Sequence, residues 1–183
     1  MKSVKSKYWW IFFIRGVLAM VFGLTAMLLW PLVELGLMGS FFGSFIFIQG
    51  ALTLFAYLKI RRVNRSLPVL LESVLGMSVG IFLVVQTTYL TPTVFVVSFV
   101  LWGIGAGLCK VIGSLLLYRK QQFHWVLVLV GLLSILFNSM FYIQADLEKG
   151  YISYTLAYVL GIYFVIYGML LTIFSFRLKA SQA

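Results

Sequence analysis

Three charged residues, Arg15, Glu72 and Lys110, stand within runs of the sequence that are otherwise almost entirely apolar. A charge near the centre of a membrane helix costs about 2.5–3.5 kcal/mol on insertion scales, so such residues are expected to pair or to extend toward the membrane surface. Arg15 and Glu72 immediately precede Gly16 and Ser73, at similar depths in two different runs. We therefore expect an Arg15–Glu72 ion pair between two helices. The alternative is that each side chain extends separately to the lipid headgroups.

Lys110 stands about eight residues from the end of the fourth apolar run, which corresponds to roughly two helical turns. It could join Arg15 and Glu72 in one intramembrane charge cluster. Alternatively, the aliphatic stem of Lys110 could extend so that its ammonium reaches the headgroups, and we favour that second interpretation. The cluster of Arg15, Glu72 and Lys110 is the candidate polar site of the sequence.

The remaining reactive residues do not form a catalytic pattern. The chain has one cysteine and one histidine, and only four acidic residues. A triad or a metal site requires several such groups at suitable spacings. We therefore predict no enzyme activity, no metal site and no cofactor.

The composition predicts a membrane protein. Of the 183 residues, 63% are hydrophobic and 10% are charged, whereas soluble domains are about 45–50% apolar and about 25% charged. The net charge of +10 does not indicate nucleic-acid binding, because the basic residues form short clusters between apolar runs. Membrane lipids are the expected partners. A second copy of the chain or another membrane protein is left open.

Six apolar runs, each long enough to span a bilayer, predict an all-α, polytopic fold with six transmembrane helices. The predicted spans are roughly 8–30, 33–58, 68–88, 93–117, 123–143 and 151–175. Together they make a single domain of three helical hairpins, at about 8–58, 68–117 and 123–175.

The basic residues between the spans predict the orientation of the chain. One side carries eleven Lys or Arg residues, and the other side carries only Lys149 together with Glu34, Asp146 and Glu148. The eleven are Lys2, Lys5, Lys7, Lys59, Arg61, Arg62, Arg65, Arg119, Lys120, Arg177 and Lys179. By the positive-inside rule both termini are expected in the cytoplasm.

Small or polar residues recur seven positions apart in all six spans, which places each pair on one helix face. Such faces let helices approach closely in lipid. The first helices of the hairpins carry Gly16/Gly23, Ser73/Gly80 and Gly131/Asn138, and the second helices carry Gly43/Gly50, Ala106/Gly113 and Gly161/Gly168. Spacings of four residues are added by Gly39/Gly43, Gly76/Gly80 and Gly103/Gly107. We interpret the pattern as three parallel repeats. The alternative is coincidence, since glycine is common in membrane helices.

Three segments resemble the HdeD-like acid-resistance membrane proteins, in the same order along nearly the whole chain. The first has an aromatic pair, Arg-Gly, a later glycine and a proline, the second is a glutamate-glycine helix, and the third is the last helix. The matching residues are Trp9, Trp10, Arg15, Gly16, Gly23 and Pro31; Glu72, Gly76 and Gly80; and Gly161, Tyr163, Gly168, Phe176 and Arg177. Ser73 and Asn138 depart from the glycines that the family commonly has there.

The resemblance implies six helices in the inner membrane and a role in acid resistance, without a known catalytic site or transported substrate. We therefore expect a non-enzymatic membrane protein of acid or envelope stress resistance. The alternative is a small channel or transporter for protons or a small solute, with Arg15, Glu72 and Lys110 lining a cytoplasmic vestibule. The parallel direction of the repeats disfavours that alternative, because many secondary transporters contain inverted repeats.

Overall fold

The computed structural model of the chain describes residues 9–29, 35–59, 67–118, 125–147 and 154–180. Six helices in these segments are long and apolar enough to cross a membrane. They are α1 (Trp9–Leu29), α2 (Leu35–Lys59), α3 (Leu67–Val85), α4 (Pro92–Tyr118), α5 (Trp125–Leu147) and α6 (Tyr154–Ala180). The predicted all-helical, six-span fold is thereby confirmed. Pro31 and the basic residues before α1 and between the helices lie outside the described residues.

The connection between α3 and α4 differs from the sequence prediction, because α3 ends at Val85 and a short 3-10 turn, Thr87–Tyr89, follows. Thr91 then caps α4: its hydroxyl oxygen accepts a hydrogen bond from the Val94 amide at 3.3 Å. Pro92 occupies the first helical position, where the missing N–H has no intrahelical partner to lose.

The closest helix pairs are α1 with α6, α2 with α3, and α4 with α5. Each pair joins two different predicted hairpins, whereas α1 and α2, which are consecutive in one hairpin, pack against each other only sparsely. Lipid tails are as apolar as the side chains, so association depends on how closely two backbones can approach. The small-residue faces therefore decide which helices pair, and membership of the same predicted hairpin does not.

Glycines line all three of these close interfaces. In α1 and α6, an added Cβ at Gly16 would lie 2.7 Å from the carbonyl oxygen of Gly168, and one at Gly23 would lie 2.6 Å from that of Gly161. Gly43 and Gly80 make the equivalent approach between α2 and α3. Any side chain at these positions would require the two helices to separate.

The two further small residues of the α2–α3 interface lie less deeply in the contact. An added Cβ at Gly50 would be 3.0 Å from the Ser73 carbonyl oxygen, and one at Gly76 would be 3.4 Å from the Gly50 Cα. Ser73 itself is fully buried, and its hydroxyl donates to the Leu70 carbonyl. A serine is accommodated here because its hydroxyl is satisfied within its own helix.

The α4–α5 interface differs from the expected pattern. Gly107 approaches Gly131, and an added Cβ at either residue would lie 2.7 Å from the other's carbonyl oxygen. Gly113, which the sequence pairs with Ala106, lies toward α3, where its added Cβ would make an ordinary 3.6 Å contact with Pro68. Gly103 and Gly107 are four residues apart and share one side of the helix, and Gly113 is on another side.

Aromatic side chains fill the centre of the bundle. Phe42 of α2, Phe99 of α4 and Phe164 of α6 are fully buried, and their ring centroids are 5.1, 6.0 and 6.4 Å apart. Trp102 packs against all three rings. Since α2, α4 and α6 make few close backbone contacts with one another, large rings occupy the space between them.

The glycine contacts lead to a matched pair of substitutions. We expect Gly23→Ala to lower the stability of the bundle by about 1–3 kcal/mol, because the added methyl group would overlap the Gly161 carbonyl. Gly113→Ala is the control, since its methyl group has room and alanine favours a helix by about 0.8–1 kcal/mol over glycine. Thermal unfolding in detergent measures both changes. An equal loss in the two variants would contradict the assigned interface.

Candidate functional site: a buried charge cluster

Arg15, the seventh residue of α1, is buried with 6% of its surface exposed. Its Nε donates to Gln49 Oε1 at 2.9 Å, and its Nη2 donates to Glu72 Oε1 at 3.0 Å. The guanidinium group therefore joins α1 to α2 and α3. The planar fork of the guanidinium presents separate N–H donors, Nε and Nη2, to the two acceptors in a fixed geometry.

Glu72 is the only acidic residue in this cluster, and a single oxygen of its carboxylate binds two cations. Oε1 accepts from Arg15 Nη2 at 3.0 Å and lies 2.9 Å from Lys110 Nζ. Glu72 lies in α3 and Lys110 in α4. The structure thus places all three predicted residues together, and Lys110 lies in the cluster, contrary to the extended position that we favoured from the sequence.

Three different groups surround the ammonium of Lys110. Besides Glu72, Nζ donates to the Ala106 carbonyl at 3.3 Å and lies 5.6 Å from the centre of the Tyr167 ring. Only 7% of Lys110 is exposed. An ammonium has three N–H donors, so a carboxylate, a carbonyl and an aromatic face together replace the water that it loses on burial.

Gln49 has a larger part in the site than its sequence indicated. Its Nε2 donates to the main-chain carbonyl of Arg15 at 3.0 Å, while its Oε1 accepts from the Arg15 side chain. Thr53 Oγ1 in turn donates to the Gln49 carbonyl. The only sequence signal for Gln49 was that it is a polar residue within an apolar run. Tyr167 is one of many aromatic residues, and the sequence carried no signal for its place in the site.

The cluster carries two positive charges and one negative charge. Low-dielectric surroundings strengthen the attraction within it and also increase the cost of any unpaired charge. Both cations contact the same oxygen, so loss of the Glu72 charge would leave two cations facing each other. The chemical capacity of this arrangement is to hold helices together in a manner that depends on the charge of one carboxylate.

A second buried polar group joins α5 to α6. The Tyr163 hydroxyl donates to Ser134 Oγ at 2.9 Å, and Asn138 Nδ2 donates to the Ser134 carbonyl at 2.7 Å. Asn138 is fully buried, and its Oδ1 has no hydrogen-bond partner among the described residues. Its side chain packs against Gly103 of α4. Asn138 can replace glycine at this close contact because the facing residue is itself a glycine.

The two-to-one charge ratio predicts an asymmetry between variants. Glu72→Gln should destabilise the bundle by about 3–5 kcal/mol, because it leaves two buried cations without a counter-charge. Lys110→Met should cost clearly less, because the Arg15–Glu72 pair that remains is neutral overall. Unfolding midpoints in the same detergent compare the variants. If Lys110→Met proved as harmful as Glu72→Gln, charge balance would not govern the stability of the cluster.

Comparison with known proteins relates one part of the chain to a family. Residues 14–85 match the family described as a short repeat of unknown function, DUF308, which is the domain of HdeD-like membrane proteins. The searches of curated proteins and of solved structures gave no match. The matched segment is less than half of the chain and includes Arg15, Gln49 and Glu72, so over α1, α2 and α3 this multi-pass membrane protein is similar to DUF308.

Proposed function

We propose that the chain is a non-enzymatic protein of the bacterial inner membrane that supports resistance to acid or envelope stress, with both termini in the cytoplasm. The observation that carries the proposal is the buried carboxylate of Glu72 between Arg15 and Lys110. Because protonation of this group removes the only negative charge of the cluster, its contribution to stability is greatest while Glu72 is ionised. That contribution decreases as the pH falls and the carboxyl group takes a proton.

The arrangement of the charged groups supports a non-catalytic role. Arg15, Glu72 and Lys110 are all buried and bind one another and neighbouring helices. A catalytic acid, base or nucleophile must reach a substrate, and these groups use their hydrogen-bonding capacity within the bundle. Their removal should therefore change stability first.

The aromatic centre favours a sealed bundle rather than a channel. Phe42, Phe99 and Phe164 contact one another deeper in the bundle than the charge cluster. Two grooves lie at the periphery of the bundle, one between α1 and α2 with a volume of about 410 Å³ and one between α3 and α4 with a volume of about 610 Å³. A conducting path would have to displace rings that fill the bundle axis.

The orientation predicted from the basic residues supports the acid-stress role. The cluster lies near the end of the bundle where α1, α3 and α5 begin and α2, α4 and α6 end, which we call the basic end. With that end in the cytoplasm, the buried Glu72 would lie near the compartment whose pH falls when the cell interior is acidified. The same carboxylate would thus link internal pH to the packing of α1, α3 and α4.

An acid-challenge survival assay tests the proposed role. We expect cells that lack the gene to survive acid less well than the parent, and the wild-type gene to restore survival. A Glu72→Gln gene should fail to restore it at matched protein levels, whereas Glu34→Gln, which changes a carboxylate outside the spans, should succeed. Equal survival of the deletion strain and its parent would refute the stress role.

Reconstitution distinguishes this role from the channel alternative. Liposomes containing the purified protein should dissipate an imposed pH gradient no faster than protein-free liposomes, because the aromatic centre blocks the axis. Proton flux that Phe99→Ala increases and that Lys110→Met abolishes would instead favour a channel.

A further inference from the structure

The last turn of α6 carries two exposed cations, Arg177 and Lys179. The Arg177 guanidinium lies 5.0 Å from the centre of the Trp125 ring, which begins α5. The Lys179 ammonium lies 4.7 Å from the Trp9 ring, which begins α1. Two cations from one helix end are thereby directed toward two neighbouring helices.

Contacts with tryptophan hold these cations at one level of the bundle. Trp125 remains about half exposed beneath Arg177. On the α1 side, Ser175 Oγ donates to the Trp9 carbonyl at 3.0 Å, which adds a direct link between α6 and the start of α1. Tryptophan rings in membrane proteins commonly lie at headgroup depth, so the charges of Arg177 and Lys179 lie where lipid phosphates are found.

The two cations have no acidic partner in the part of the chain that the structure describes. Of the four acidic residues, Glu72 is engaged inside the bundle, and Glu34, Asp146 and Glu148 belong to the opposite side by sequence. Lys59, the last residue of α2, adds a further cation at the basic end. This surface is therefore complementary in charge to an anion at the membrane interface.

We propose that the basic surface formed by Arg177, Lys179, Trp9 and Trp125 binds the phosphates of anionic phospholipids, one at Arg177 between α5 and α6 and one at Lys179 between α6 and α1. Each lipid supplies both elements that its site requires: a phosphate for the cation and acyl chains for the apolar helix faces below it. Binding at Lys179 strengthens the closure of the bundle, because it links α6 to the first helix of the chain. The inference does not depend on the proposed stress function.

The test uses the full chain in detergent, titrated with phosphatidylglycerol or with phosphatidylcholine. Tryptophan fluorescence, to which Trp9 and Trp125 contribute together with the other three tryptophans of the chain, reports on binding. The unfolding midpoint reports on stability. We expect phosphatidylglycerol to bind more tightly than phosphatidylcholine and to raise the midpoint. Neutralising both cations, in Arg177→Gln/Lys179→Gln, should weaken binding about fivefold at each of the two positions, the contribution of one basic residue near an anionic surface.

Two control proteins separate a site from a general charge effect. Arg177→Lys/Lys179→Arg keeps both charges and should bind like the wild type. Lys149→Gln removes one positive charge between α5 and α6 and should also bind normally. If the doubly neutralised protein does not remain monodisperse, the single Arg177→Gln and Lys179→Gln variants should each show the fivefold loss at the substituted position.

Four results would overturn the proposal. The first is equal binding of the two lipids, and the second is unchanged affinity in the neutralised variants. The third is displacement of phosphatidylglycerol by millimolar inorganic phosphate, which would assign the surface to a free anion. A loss in Lys149→Gln equal to that in the neutralised variants would likewise contradict a site at α6.

Discussion

Oε1 of Glu72 accepts from Arg15 and Lys110 at about 3 Å, and this single oxygen joins α1, α3 and α4 in a low-dielectric interior. Each cation would be costly there by itself. Gln49 completes the arrangement, because it binds both the side chain and the main chain of Arg15 from α2. The relative positions of four helices are therefore constrained at the depth where the charges are buried.

Small and large residues pack different parts of the bundle. Where two helices must touch, the contact is made by pairs such as Gly16 with Gly168, which approach too closely to leave room for a Cβ. Where three helices surround the axis, Phe42, Phe99 and Phe164 fill the wider gap. Small residues thus produce close pairs and rings produce a solid centre, without help from a hydrophobic force between helices.

The interior of the bundle and its basic end differ in what their charged groups can bind. Inside, the charges satisfy one another and leave little for a substrate to bind. At the basic end, Arg177 and Lys179 extend over the rings of Trp125 and Trp9, where the proposed lipids would bind.

The sequence by itself determined the six spans and indicated that Arg15 and Glu72 would form an ion pair. Length and hydropathy are local properties, and the cost of an isolated Arg15 or Glu72 in lipid is the same whatever the fold. The sequence also identified two small-residue spacings on α4, Ala106/Gly113 and Gly103/Gly107. Both spacings are helical, and only the facing helix, α5, selects Gly103 and Gly107 for the close contact.

Only the tertiary structure decided which helices pair and what else enters the charge cluster. The two helices of one predicted hairpin are not the closest pairs; α2 packs on α3 and α4 on α5, across the hairpin borders, and α6 packs on α1, at the other end of the chain. Lys110 and Gln49 were polar residues with several reasonable positions, and Tyr167 was one aromatic residue among many. Their convergence on Arg15 and Glu72 depends on helix rotation and neighbour choice, which are set by packing across the whole bundle and by no single span.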